Sequence, residues 1–229
     1  MKVQLRLAAA AAATLGAVWG GAAFADWPFG EVVRLEPGYG GVCEGCDLSG
    51  RLLAGVKLTD GVFRRANFSH AVLARVNAAR ANFERADFTQ ADLTHAKLVE
   101  TKCEGALFAS AILSHSDASG GEFQHADFSH AQLEDVGFAQ SNLRGAVFTA
   151  AHADAARFTG ADLRAASFQQ ARLTGADFSG ADLTGANFER ANLSGADLSS
   201  ARGLTQAQVR RACGNRETRL PHNLRIARC

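Results

Sequence analysis

Residues 176–200 read ADFSG, ADLTG, ANFER, ANLSG and ADLSS, five pentapeptides laid end to end. Working outward, the same frame reaches back to Cys46, giving 31 consecutive pentapeptides from Cys46 to Ser200 with no insertion or deletion. The central residue is Leu or Phe in 27 of them, the exceptions being Ala78, Cys103, Ala118 and Ala153. The residue two before the centre is Ala in 21. A period of five suits neither a helix, with its 3.6-residue turn, nor a strand, whose faces alternate every second residue. Each pentapeptide therefore reads as one short extended side followed by a turn.

Sides must close into coils, and sorting the centres at intervals of 20 tests how many make one. One column is Leu48, Phe68, Phe88, Phe108, Phe128, Phe148, Phe168 and Phe188. Its neighbour is Leu53, Leu73, Leu93, Leu113, Leu133, Ala153, Leu173 and Leu193. Phe separates from Leu at that interval, as four sides per coil require. The spacing predicts an all-β solenoid in which like side chains stack at the strand spacing of ~4.8 Å, making a rod ~37 Å long. Each buried centre contributes ~1.5–3 kcal/mol. The four undersized centres read as repacking beside bulkier neighbours or as a small cavity.

The motif in Ala176–Ser200, alanine, then Asp or Asn, then Leu or Phe, then Ser or Thr, resembles the pentapeptide-repeat family over about 46–200. That resemblance implies a right-handed quadrilateral β-helix with the centre and the residue two before it pointing inward. The family's best-known activity, DNA mimicry against gyrase by strongly acidic dimeric rods, is one reading it offers. Fold alone does not carry function.

A solenoid exposes edges and core at both ends, so each end needs a cover. Residues 26–45 hold Trp27, Phe29, Val32 and Val33 before a Gly-rich turn, and read as an N-terminal cap. Residues 201–229 read as a C-terminal cap with a short helix. Thr205 and Gln208 have the capping-box spacing, Leu204 and Val209 the staple spacing, and Gly214 is placed to end the helix. The stretch from Gly203 to Leu224 resembles the tail that follows the repeats in exported family members. Of five cysteines, Cys103 is a repeat centre and reads as buried. Cys213 and Cys229 read as a disulfide worth ~3 kcal/mol in the chain-entropy model. Cys43 and Cys46 read as a second one, with a redox pair or half of an intersubunit metal site as alternatives.

Residues 1–25 have the pattern of a secretory signal peptide. Lys2 and Arg6 precede an uncharged stretch, Leu7–Trp19, and Ala23-Phe24-Ala25 supplies a small-x-small cleavage site. The stretch falls short of the ~20 residues that span a bilayer, and no later segment is apolar enough to do so. The expectation is a periplasmic or secreted chain without a membrane span. The formal charge of +1 hides an asymmetry: residues 26–200 carry about −7 and residues 201–229, with seven Arg and one Glu, about +6. The mildly acidic body, the basic tail and the export pattern disfavour the gyrase reading, and a nucleic-acid partner with it.

No GxGxxG, Walker loop, HExxH or GxSxG motif occurs. The outward constellation closest to chemistry is Arg75, His95, His115 and Asp135, which share one position in successive coils. Two imidazoles and a carboxylate offer the ligands of a divalent metal such as zinc, and the bland alternative is a solvated polar stripe. Leu52, Val62, Val72, Leu107, Ile112 and Val147 occupy outward slots and suggest a docking face. The middle coils, about 96–160, depart most from the motif and are the expected binding face. The sequence therefore points to a non-enzymatic binding or scaffold module without a cofactor, whose rod engages a protein or an envelope polymer.

Overall fold

The computed structural model describes residues 41–229. The signal-peptide pattern of 1–25 and the greater part of the 26–45 segment lie outside the described residues. From residue 41 onward every pentapeptide contributes one bridging residue and one turn, and the bridges are parallel and join residues 20 apart, from Val42↔Val62 to Asp182↔Arg202. Four five-residue sides therefore make each coil, a quadrilateral β-helix. The first side is Gly41–Gly45, five residues ahead of the frame read from the sequence: Val42 bridges Val62, and Gly45 turns the corner at φ 67°.

Backbone hydrogen bonding explains why a side is five residues long. In Ala126–His130, the Ala126 N–H donates to the Phe123 carbonyl across the preceding corner (3.1 Å). Asp127 N–H donates to Ala106 in the coil before (3.0 Å). Phe128 and His130 donate to Val147 and Thr149 in the coil after (2.7 and 2.9 Å). One N–H remains, that of Ser129, and the Asp127 side chain accepts it at 2.9 Å. The same local bond recurs at Asp47, Asn67, Asp87, Asp162 and Asp197. The Asp or Asn of the motif thus supplies the acceptor that the wall lacks, a side-chain turn closing on the backbone two residues on.

Every fifth residue from Gly45 to Gly195 has positive φ, and the residue before it does not. A positive angle at the third turn residue alone is the type II pattern, which favours Gly. Many corners nonetheless carry Arg, His or Gln. Five of the histidines, His70, His95, His115, His125 and His130, stand there at φ 57–62°, and His is among the residues that enter this region most often.

Inside, the 48-column is a continuous stack. Phe68, Phe88, Phe108, Phe128, Phe148, Phe168 and Phe188 lie ring over ring, with centroids 4.8–5.2 Å apart and planes within 6°. The Leu73, Leu93, Leu113 and Leu133 column beside it is equally buried. The undersized centres are balanced around the coil. Ala78, Ala118 and Ala153 each precede a Phe on the next side (Phe83, Phe123, Phe158), so one side's missing bulk is supplied by the next. Cys103 is fully buried with Thr101, whose hydroxyl donates to the Leu98 carbonyl at 2.8 Å. Burial pushes the Cys103 thiol up to about 12, so it is neither a nucleophile nor a ligand at neutral pH.

After the last coil the chain changes form. α1 (Gln206–Val209) is a single turn, with the Thr205 hydroxyl accepting from Gln208 N–H and the Gln208 side chain accepting from Thr205 N–H. It stops at Arg210. Gly214 does not end it, contrary to the sequence reading, but lies in β1 (Cys213–Gly214), which pairs in parallel with β2 (Ala227–Arg228). A Cβ at Gly214 would come within 2.6 Å of Thr218 Oγ1, so the close approach of the next turn explains the glycine. The tail meets the edge of the last coil: Gln208 Nε2 donates to the Leu183 and Ala186 carbonyls, and Cys213 and Arg219 bridge Asn192 and Asp197.

Candidate functional site

Each outward position belongs to a column with a 20-residue step, so the surface is built of ladders, and opposite charges meet along them. Arg80 pairs with Asp60 at 2.7 Å and Arg64 with Glu84 at 3.0 Å. Arg172 also pairs with Asp154, and Arg164 with Asp162 on its own side at 2.6 Å. Hydrogen bonds from Arg164 hold the Asp162 carboxyl below the ordinary carboxylate range. Bonds from Thr184 do the same for Asp182. At Asp177 burial opposes ionisation, but bonds from Ser179 and Thr159 outweigh it and its carboxyl is also lowered. These groups are fixed as anions by their own neighbours.

The candidate metal ligands lie on one corner stripe. The His95 and His115 rings stack with centroids 5.1 Å apart and planes at 16°. His115 Nδ1 lies 3.3 Å from Asp135 Oδ2, and Asp135 is also held by Arg157. Rungs of a ladder run side by side, so the two imidazoles lie face to face instead of aiming lone pairs at one point. Among the described residues no group of three His, Cys, Asp or Glu side chains is placed to hold a metal ion. In this geometry His95, His115 and Asp135 form a polar stripe.

The cysteines pair locally. Cys43 and Cys46 are disulfide-bonded with Cα atoms 5.5 Å apart. Cys43 is a side centre and Cys46 the first residue of the next side, so both point inward, and the pair spans the first corner packed against the core. Cys213 and Cys229 are bonded with Cα atoms 4.8 Å apart, tying the chain's last residue to β1. That pair borders a shallow depression lined by Ser194, Gly214, Asn215, Arg216, Arg228 and Cys229.

The outward apolar residues are only partly grouped. Leu52, 52% exposed, is the rung next to Val72. Val42, 67% exposed, adjoins Val62 in a different column. Leu107, 43% exposed, is separated from Val147 by Asp127, and Ile112 from Val72 by Asp92. The middle coils thus carry single apolar side chains set among polar ones. A further surface contrast is legible in composition alone: from Cys103 to Leu143 there is no Lys or Arg but there are six carboxylates.

A family model for pentapeptide repeats matches the chain in eight overlapping copies that together run from residue 52 to residue 212. Two trypsin-treated variants of QnrB1, described as a plasmid-mediated fluoroquinolone resistance protein, align with 77% of this chain and with 90% and 92% of their own. They are 20% and 19% identical, each with a TM-score of 0.68, a likeness that shows the fold. HetL, a pentapeptide repeat protein involved in heterocyst differentiation regulation from the cyanobacterium Nostoc, is 29% identical over 70% of this chain and 79% of its own, with a TM-score of 0.40. No match was found among curated proteins.

Proposed function

The chain belongs to the pentapeptide-repeat family, whose members fold as right-handed quadrilateral β-helices, and on that premise we propose that it is an exported, non-enzymatic binding or scaffold module. One observation carries the reading. Each outward side chain stands on backbone that is hydrogen-bonded to the neighbouring coils, so whole columns are held at a fixed step and orientation. Such a wall is pre-organised for a partner whose own groups repeat at that step, because little conformational freedom remains to be lost on docking. The binding face is the middle coils, about 96–160, where Leu107 and Ile112 break the polar columns. The partner is a protein or an envelope polymer.

The ends complete the module. Residues 1–25 direct export to the periplasm or beyond and are removed, residues 26–40 serve as the N-terminal cover ahead of the first side, and residues 201–229 cover the C-terminal end. The last assignment is supported by the bonds from Gln208, Cys213, Thr218 and Arg219 to the final coil and by burial of Val209 and Ala212.

The test is an in-cell crosslink of tagged protein, isolated from envelope fractions and read by mass spectrometry, beside a chain lacking residues 1–25. A specific envelope component enriched only with the full chain supports the reading. Equal enrichment with both forms, or none above background, overturns it.

A further inference from the structure

The last layer of the rod differs from the coils in charge. The described coils, residues 41–200, hold 14 Lys and Arg against 19 Asp and Glu, a net −5. Residues 201–229 hold seven Arg, no Lys and one Glu, a net +6. All seven arginines are exposed. Arg219 pairs with Asp197 at 2.9 Å, and among the described residues the other six, Arg202, Arg210, Arg211, Arg216, Arg225 and Arg228, make no ion pair.

Their placement spreads around the layer. Arg202 extends the column of Asp182 on one side, Arg210 and Arg211 follow α1, Arg216 lies in the turn after β1, and Arg228 lies in β2 beyond it. The Cys213–Cys229 disulfide, the β1–β2 pair and the bonds from the Gln206 side chain to Arg225 backbone hold this layer in place. The rod is thus a rigid body with a cationic end next to an anionic stretch of shaft, residues 103–200 at net −7, while residues 41–102 are close to neutral at +2. Near a negatively charged plane the end is attracted while the anionic stretch is repelled, so the field favours one orientation.

We infer that the C-terminal end is an electrostatic docking surface for anionic lipid headgroups, on which the rod stands end-on with its walls free. An extended plane suits six cations spread around a whole layer better than a compact acidic patch does, since a patch meets only the arginines on one side. The guanidinium group favours this role because its planar fork bonds phosphate oxygens in pairs. The inference concerns the end and not the walls, so it stands apart from the wall-binding reading.

The experiment is co-sedimentation of the full chain with vesicles of phosphatidylcholine alone or with 30% phosphatidylglycerol. Each arginine near such a surface is worth about fivefold in partition, and the effect is confined to a Debye length of about 10 Å at 0.1 M salt. The chain should bind the anionic vesicles at low salt, leave them at high salt and ignore neutral ones. Replacing Arg211, Arg216 and Arg228 together with Gln should lower the partition by on the order of a hundredfold. Replacing Arg65, Arg75 and Arg85 with Gln removes the same charge from the shaft and should change it by less than about fivefold. Matching circular dichroism melts establish that both triple variants are folded. Equal losses from the two triples would reduce the effect to net charge and overturn the assignment. So would equal binding to neutral vesicles, or binding to soluble polyglutamate without binding to vesicles.

Discussion

Replacing Gly121 with Ala restores the residue that most sides carry at that position, and it should destabilise the protein. In an open setting the change is favourable by ~0.4–1 kcal/mol, because alanine restricts the unfolded chain. Gly121 is not at positive φ, so no backbone strain opposes it. What opposes it is the ring of Phe123: a Cβ would stand 2.4 Å from Cε2 and 3.1 Å from Cδ2, and 3.2 Å from the Ala118 carbonyl oxygen. The ring has little room to retreat, being packed at 5.5–6.2 Å centroid distance from Phe108, Phe128 and Phe138. Forcing an extra carbon into a packed core costs ~1–3 kcal/mol, which outweighs the unfolded-state gain. The expected net loss is about 0.5–2 kcal/mol, read as a drop of about 2–6 °C in Tm for a chain of this size. Urea and thermal unfolding of the variant measure it. A second variant identifies the cause: adding Phe123→Leu removes the crowded ring atoms, so the double variant should be more stable than the sum of the single losses by ~0.5–2 kcal/mol. An alanine variant as stable as the parent, or strictly additive losses, would refute the packing argument.

Phe128→Asp puts a charge between rings 4.8 and 5.0 Å away and should abolish the cooperative melt. Asp127→Ala loses only the bond to Ser129 N–H and should cost a few tenths to ~1 kcal/mol; equal melts for the two would contradict the inward and outward assignment. Asp162, Asp177 and Asp182 are held below their ordinary value of 3.8. Their contribution is present above that value and lost as pH falls through the lower folded values. Tm against pH should therefore drop below about pH 4, and the triple Asn variant should flatten that drop. The Cys103 thiol should resist a thiol reagent in the native, non-reduced protein and react fully once denatured; rapid native labelling would contradict its burial.

How much could be read from the letters differs between wall and site, for a physical reason. A wall of five-residue sides repeats its demands every five residues. The need for a small inward residue at Ala126, a large one at Phe128 and an acceptor at Asp127 is therefore written many times over. The 20-residue sorting of Phe from Leu is direct in the columns of Phe68 and Leu73, whereas the other two columns mix Phe with Leu, Ala or Cys, as at Leu98, Ala118 and Phe138. What spacing leaves out is direction. It brings His95 beside His115, but neighbouring rungs run parallel, and only the geometry shows their rings stacked and Asp135 held by Arg157. Direction also explains Gly41–Gly45: Cys43 sits where Leu or Phe belongs, and its inward disulfide with Cys46 hides a side inside what reads as a cap. Gly214 was misplaced because a glycine suits a helix end and a crowded strand alike.

Bridges that join residues 20 apart throughout the coils, from Val42↔Val62 to Asp182↔Arg202, make the length of the rod quantised. Excising residues 146–165 would set Phe168 on Phe128, Leu173 on Leu133, Phe178 on Phe138 and Leu183 on Leu143, like over like, with every rung re-formed. Excising five would rotate all that follows by a quarter turn and bring unlike columns together. Excising one would reverse which residues point inward. Growth and shrinkage in the lineage of such a chain are thus restricted to whole coils, a ratchet imposed by registry and not by any property of the ends.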